Sequence, residues 1–117
     1  MIHLIIAGGR SFANYSLLRE KVDFMLSDIS EEIEIVSGLA AGADSLGCLY
    51  AHERNLPVKH FPANWNKFGK SAGFKRNLEM ASYANAAICF WDGKSKGTQD
   101  MIRLAKERGL WLIVINY

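Results

Sequence analysis

Short apolar runs alternate along the chain with longer stretches in which apolar residues recur at helical spacing. The runs predict five strands, at about residues 2–7, 33–37, 57–61, 86–91 and 111–115. Three of them, HLIIA, AAICFW and LWLIVI, show no alternation of polar and apolar residues, which is typical of strands covered on both faces. Strands that alternate with helices indicate a parallel sheet between two helical layers. We therefore predict an α/β fold, a three-layer sandwich around a five-stranded parallel sheet.

Four helices are predicted between these strands. The first begins near Asn14 or Ser16, because either side chain can cap a helix. The third covers about residues 73–84, and the fourth covers about residues 98–108, with Gly109 as a left-handed cap. The residues expected to face the sheet are Leu18, Val22, Met25, Leu26 and Ile29 in the first helix, Ala43, Leu46, Leu49 and Tyr50 in the second, Phe74, Leu78 and Ala81 in the third, and Met101, Ile102 and Ala105 in the fourth.

The composition fits one domain. With 117 residues, of which 50% are hydrophobic, the chain can bury one core, and we predict a single domain over residues 1–117. No apolar run approaches the roughly 20 residues that span a bilayer, and no basic leader precedes the first strand. We therefore expect a cytoplasmic protein without a membrane partner. A net charge of +2 does not by itself indicate a nucleic-acid partner.

The cysteines and histidines show no spacing that favours a metal site. Cys48 and Cys89 lie in apolar segments without a CxxC pattern, so we expect buried, reduced thiols. His3, His52 and His60 fall in a strand start, a helix and a strand. We therefore expect no metal site and no required cofactor.

Three glycine-rich loops follow predicted strands: AGGRSF after the first, SGLAAGAD after the second and WDGKSKGT after the fourth. Right-handed crossovers bring such loops to one edge of a parallel sheet. Glycine permits close backbone approach, and a helix N-terminus offers unpaired N–H groups, so the combination suits a phosphate. The chain nevertheless lacks both the GxGxxG dinucleotide pattern and the GxxxxGK[ST] phosphate loop. The loops therefore predict an anion site without identifying its ligand.

Four motifs in this order, GGRSF, VSGLAAGADSLG, SAGFKRNLEM and DGKSKGTQDM, resemble the SLOG superfamily, and most closely its small YspA/YpsA-type branch. That superfamily also includes the lonely-guy phosphoribohydrolases and the Rossmann-like domain of DNA processing protein A. The resemblance implies a Rossmann-like sheet in the order 3-2-1-4-5, with a nucleotide or nucleotide-derived ligand at the carboxyl ends of the strands. It also implies a possible homodimer.

The resemblance and the loop chemistry together indicate a set of ligand-binding residues. Arg10 is expected to pair with a phosphate or carboxylate as a two-pronged donor, the alternative being a surface salt bridge. Asp44 either grips a ribose hydroxyl or is an ordinary carboxylate at a helix start, and Thr98 either contacts a phosphate or is an ordinary N-cap. The complete predicted set is Gly8, Gly9, Arg10, Ser37, Gly38, Gly42, Asp44, Arg76, Asn77, Gly93, Gly97 and Thr98.

The small residues of IVSGLAAGADSLG have two predicted uses. Ala43 and Gly47 are expected to let the second helix lie close to the sheet. Ser37, Gly38 and Gly42 are expected to open the rim where a phosphate or ribose rests.

Catalysis is a second hypothesis. In the phosphoribohydrolases the fourth loop reads PGGxGTxxE, and an arginine of the third helix works with that glutamate on the N-glycosidic bond. Arg76 matches the arginine, but Met101 stands where the glutamate is expected, and Asp100 is the nearest acid. Our first hypothesis is therefore a nucleotide-ligand-binding domain acting as sensor, sequestering protein or module. The alternative is a nucleoside 5'-monophosphate N-glycosidase that uses Arg76 and Asp100.

The long segment PANWNKFGKSAG, residues 62–73, is expected to be irregular, either a functional loop or a loose one. From residue 65 to residue 77 the chain contains four cationic and three aromatic side chains and no acid. Such interleaving favours either binding of single-stranded nucleic acid or a lid over one bound base. The single base is the preferred reading, because four cations make a small footprint. The lid residues are Trp65, Phe68 and Lys70.

Overall fold

The computed structural model describes all 117 residues and contains one sheet of five parallel strands. In chain order the strands are β1 (Ile2–Gly8), β2 (Ile33–Ser37), β3 (Val58–His60), β4 (Ala86–Trp91) and β5 (Trp111–Asn116). Their order in the sheet is β3-β2-β1-β4-β5, and all neighbours pair in parallel. The predicted sheet and strand order are therefore confirmed.

The helices are α1 (Tyr15–Leu26), α2 (Ala43–Glu53), α3 (Trp65–Phe68), α4 (Ala72–Tyr83) and α5 (Lys96–Glu107). As predicted, Asn14 caps α1: its side-chain oxygen accepts from the N–H of Leu17 at 3.0 Å. None of the helices combines the length and the apolar character that a bilayer crossing requires.

The core lies on both faces of the sheet, as the strands without alternation predict. Buried residues of one face, such as Leu4, pack with α1 and α2. Buried residues of the other face, such as Ile5, pack with α4 and α5. Neighbouring residues of β1 thus serve opposite layers, because successive strand side chains point to opposite faces. Cys89 is buried in the second layer, whereas Cys48 is half-buried, and both thiols are free.

Helix α4 is rotated relative to its predicted orientation. Phe74 and Leu78, expected to face the sheet, are 47% and 45% exposed, whereas Asn77 and Met80 are buried together with Ala81. The buried stripe therefore runs through Asn77, Met80 and Ala81 rather than through Phe74 and Leu78. Polar partners on α5 explain the buried asparagine, because its side-chain amide donates hydrogen bonds there.

Four other local predictions were wrong. Leu49 on α2 is 42% exposed, and Ile29 lies beyond the end of α1. Helix α5 begins at Lys96 rather than Thr98, because Ser95 is the N-cap and its hydroxyl accepts from the N–H of Thr98 at 3.3 Å. The segment predicted to be irregular contains α3 and a 3-10 turn at Gly69–Ser71.

The packing role predicted for the small residues at the start of α2 is confirmed. A Cβ added to Gly47 would lie 3.0 Å from the Ile6 side chain, so α2 packs directly on β1. At Gly42, with φ of 76°, an added Cβ would lie 2.2 Å from the carbonyl oxygen of Gly9. The loops after β1 and β2 therefore touch through backbone, which brings their side chains to one edge.

Candidate ligand-binding site

A cavity of about 460 Å³ opens at the carboxyl ends of the strands. It lies between the loops after β1, β2 and β4 and the first turns of α4, where right-handed crossovers gather them. Ten of the residues singled out from the sequence line it: Gly8, Gly9, Arg10, Asp44, Trp65, Lys70, Arg76, Asn77, Gly97 and Thr98.

Six other residues of the predicted set lie outside this lining: Ser37, Gly38, Gly42, Gly93, Phe68 and Asp100. Ser37 is buried and serves the loop, since its hydroxyl accepts from the N–H of Leu39 at 3.1 Å and from the Cys48 thiol at 3.3 Å. Gly38 and Gly42 act through close packing, which keeps neighbouring side chains and loops in place.

Sequence reasoning missed several lining residues: Ala7, Ser11, Ala40, Gly73, Phe74, Met80, Asp92, Ser95 and Met101. Asp92 and Ser95 belong to the loop WDGKSKGT, which was predicted to reach the site, so both could have been predicted to line the cavity. Phe74 was predicted to face the sheet and was also one of the three aromatic residues of the segment 65–77, and its place in the cavity wall follows from the rotation of α4.

The side chain of Arg76 is oriented by hydrogen bonds to the loop after β2 and to its own helix α4. Its Nη1 donates to the carbonyl oxygen of Gly38, and its Nε donates to Oδ1 of Asn77 at 3.2 Å. Burial lowers the pKa of Arg76, and the positive charge of Arg10 acts in the same direction, while the negative charge of Asp44 opposes both. The guanidinium remains a cation that is preoriented at the cavity wall.

Asp44 is a carboxylate buried at the start of α2, with 5% of its surface exposed. Burial raises its pKa to about 6, although the positive charge of Arg76 and the backbone N–H groups of Ala40 and Gly38 favour the charged form. The N–H of Ala40 lies 3.4 Å from Oδ2. A charge buried in this way reduces folding stability, so the carboxylate is a strong candidate for a functional role.

The loop after β4 satisfies much of its own backbone. Oδ1 of Asp92 accepts from the N–H groups of Lys94 at 2.8 Å and Ser95 at 2.9 Å, and these bonds lower the pKa of Asp92. The hydroxyl oxygen of Ser95 accepts a hydrogen bond from the N–H of Thr98 at 3.3 Å. Around Gly97, by contrast, nothing lies within 4 Å of an added Cβ. Gly97 is therefore the open part of this loop, where a ligand can approach the backbone.

Aromatic rings form part of the cavity wall. Trp65 is 50% exposed, and the guanidinium carbon of Arg10 lies 5.8 Å from its ring centroid. Phe74 exposes a similar fraction on the α4 side. Phe68 lies outside the lining, with the ammonium groups of Lys67 and Lys75 at 5.1 Å and 4.9 Å from its ring centroid.

Arg76 and Asp100 do not face the same space. Asp100 lines a second cavity, of about 750 Å³, along α5, where its Oδ1 accepts from Arg103 at 2.8 Å and its Oδ2 accepts from Asn77 at 3.2 Å. The carboxylate nearest to the cavity side of Arg76 is Asp44. No three side chains of the histidine, cysteine, aspartate and glutamate types come together as a metal site would need.

Comparison with known proteins agrees with this architecture. The model of the YAcAr family, described as the YspA, cpYpsA-related SLOG family, matches residues 2–68. Gene 61 protein of Mycobacterium phage D29 is 28% identical over 123 residues, an alignment that covers 100% of this chain and 97% of that protein.

Two solved structures of DNA processing protein A share the fold. The protein from Streptococcus pneumoniae superposes with a TM-score of 0.78 at 17% identity, covering 100% of this chain and 51% of that one. The protein from Helicobacter pylori, which has a unique single-stranded DNA binding mode, gives a TM-score of 0.67 at 20% identity, covering 97% of this chain and 64% of that one. The chain thus spans between half and two thirds of these structures.

The family match covers β1, α1, β2, α2, β3 and α3, and therefore two of the three loops that meet at the cavity. Helices α4 and α5, which carry Arg76 and Thr98, follow it and pack on the same Rossmann-like sheet. With more than half of its residues matched, the chain belongs to the YAcAr family of YspA- and cpYpsA-related SLOG proteins.

Proposed function

We propose that this protein binds a nucleotide or nucleotide-derived small molecule in the cavity at the carboxyl ends of the strands. The observation that supports the proposal is that three cationic side chains and two half-exposed aromatic rings line one cavity: Arg10, Lys70, Arg76, Trp65 and Phe74. Its volume of about 460 Å³ lies within the usual range for small-molecule sites.

The cations and the rings suit different parts of such a ligand. A phosphate pairs with a guanidinium through two parallel hydrogen bonds, and Arg10 offers an exposed guanidinium in the lining, whereas Arg76 is held by Gly38 and Asn77. A base stacks on an aromatic face, and Trp65 offers one beside Arg10. The ligand therefore combines an anionic group with a flat ring, and the protein acts as a sensor, sequestering protein or binding module.

The experiment is titration of the purified protein with nucleoside mono-, di- and cyclic phosphates and ADP-ribose, followed by calorimetry. Saturable binding of at least one of them is expected, and inorganic phosphate should bind more weakly because it cannot stack on Trp65. If none of these compounds binds, the proposed function is wrong. Chromatography of the same mixtures for free base tests the hydrolytic alternative. That reaction needs a carboxylate beside Arg76, and in this cavity the carboxylate is Asp44 rather than Asp100.

Binding of single-stranded DNA is the second candidate. It is supported by the flanking of Phe68 by Lys67 and Lys75 outside the cavity, and by the fold shared with the Helicobacter pylori protein. A labelled oligothymidylate, followed by fluorescence anisotropy at increasing salt, tests it. Binding that weakens steeply with salt and is lost in a Lys67→Ala/Lys75→Ala double variant would favour DNA over a single nucleotide.

A further inference from the structure

Gly38 separates two charged groups of the cavity wall that do not pair. A Cβ at Gly38 would lie 2.7 Å from Nη1 of Arg76 and 2.8 Å from Oδ2 of Asp44, so both atoms flank the same point. The guanidinium and the carboxylate nevertheless form no ion pair within 4.0 Å. The two atoms are therefore more than 4.0 Å apart, yet close enough for one atom to form a hydrogen bond with each of them.

Both groups keep hydrogen-bonding capacity for a ligand. Arg76 uses two of its five N–H donors within the protein, on Gly38 and on Asn77. Oδ2 of Asp44 accepts from the N–H of Ala40 at a long 3.4 Å, and the N–H of Gly38 also favours the charged carboxylate, but no side chain donates to it. An acceptor and a donor thus face the same gap, and both residues line the cavity.

The chemistry of the gap selects the group that enters it. A phosphate oxygen accepts only and would be repelled by Asp44, and an ammonium group donates only and would be repelled by Arg76. A hydroxyl group does both, because it donates through its hydrogen and accepts through its lone pairs.

We propose that a ribose hydroxyl of the ligand occupies this gap, donating to Asp44 and accepting from Arg76, and that the site therefore selects ribose over the deoxy sugar. This inference rests on the proposed nucleotide ligand and specifies its sugar. The phosphate then lies toward Arg10 and Lys70, the two exposed cations of the same cavity.

The test compares the four ribonucleoside 5'-monophosphates with their 2'-deoxy and 3'-deoxy counterparts by calorimetry on the wild-type protein. At least one deoxy analogue should bind roughly 10- to 100-fold more weakly than its ribonucleotide, because a hydrogen bond to charged groups is lost and Asp44 stays unpaired. Equal affinities across all three sugars would overturn the inference and leave the proposed function intact. No binding of any of them would also overturn the inference, while the proposed function would still be decided by the titration with di- and cyclic phosphates and ADP-ribose.

Two variants test whether Asp44 is the residue that selects ribose over the deoxy sugar. Asp44→Asn removes the charged acceptor without changing the shape, so the ratio of ribonucleotide to deoxynucleotide affinity should fall toward one. Asp28→Asn makes the same change at an exposed carboxylate outside the cavity and should leave that ratio unchanged. A ratio that Asp44→Asn leaves intact, or that Asp28→Asn lowers equally, would contradict the assignment to Asp44.

Discussion

Nδ2 of Asn77 lies 3.2 Å from Oδ2 of Asp100, so a buried amide joins helix α4 to helix α5. The same nitrogen lies 3.2 Å from the carbonyl oxygen of Gly97, and Oδ1 of Asn77 accepts from Nε of Arg76. One side chain therefore connects the core packing of α4 to the orientation of the arginine in the cavity.

Replacing Asn77 with Ala should lower the free energy of unfolding by about 1–3 kcal/mol, because its part-buried partners Arg76, Gly97 and Asp100 lose their hydrogen bonds. Urea denaturation followed by circular dichroism measures the change. Ser82→Ala is the matched control on α4, since this exposed hydroxyl bonds only within its own helix, to the carbonyl oxygen of Leu78. A loss in the control as large as in Asn77→Ala would contradict the role given to the amide.

Arg76 and Asp100 should respond differently to substitution, because they face different cavities. Arg76→Ala should weaken binding of a nucleoside monophosphate by about 1.5–3 kcal/mol, the usual contribution of a charged hydrogen bond. Asp100→Ala should leave the affinity close to that of the wild type. Calorimetry on both variants, after circular dichroism has shown that they fold, tests the difference, and equal losses would place both residues at one site.

The sequence was sufficient for the sheet and insufficient for the orientation of α4. Uninterrupted apolar runs such as AAICFW predict strands covered by helices on both faces, and their short length favours a strand over a helix. In α4 the apolar size of Phe74 and Leu78 suggested the wrong face, since the partners of Asn77 come from α5, 20 and 23 residues away. Periodicity contains no information about such long-range hydrogen bonds.

The sequence predicted which glycine-rich loops form the site, but not which of their side chains point into the cavity. Chain order places the loops after β1, β2 and β4 on one edge, which is why Gly8, Arg10, Asp44 and Gly97 lie together. Whether a side chain turns into the cavity depends on local bonds, as with Ser37, whose hydroxyl serves its own loop. The homodimer expected from the resemblance stays a prediction.

Alanine substitutions at Gly42 and Gly93 test the backbone contact between the loops after β1 and β2. Their φ angles are 76° and 82°, so an alanine meets backbone strain at each. At Gly42 the added Cβ would also lie 2.2 Å from the carbonyl oxygen of Gly9, whereas nothing lies within 4 Å at Gly93. Gly42→Ala should therefore lower the free energy of unfolding by clearly more than Gly93→Ala in urea denaturation. Similar losses would show that the loops do not depend on this approach.

The tryptophans allow a direct test of the stacking surface. Trp65→Ala should weaken nucleotide binding by about 1–3 kcal/mol, the usual effect of removing a stacked aromatic ring. Trp111, exposed to a similar extent at the start of β5, is not part of the cavity, so Trp111→Ala should leave the affinity unchanged. Calorimetry with the same nucleotide measures both, and an unchanged affinity in Trp65→Ala would exclude stacking on this ring.

Asp44 should make the folded protein less stable as the pH rises, and a substitution at this position tests that direction. Burial raises its pKa from 3.8 to about 6, so between these values the folded protein binds more protons than the unfolded chain. Its contribution to the free energy of unfolding therefore falls as the pH rises through this window. Above about pH 6 the charged carboxylate destabilises the fold, and below about pH 4 the effect disappears.

Asp44→Asn removes that charge and should be more stable than the wild type at pH 7 by about 1–3 kcal/mol, with the difference shrinking toward zero at pH 4. Comparing the two proteins at each pH cancels the carboxylates whose pKa values are lowered, among them Asp23 and Glu34, because both proteins contain them. Urea denaturation from pH 4 to pH 7 gives the difference. A variant that is less stable at pH 7, or a difference that does not vary with pH, would mean that Asp44 is compensated in the folded protein and not reserved for a ligand.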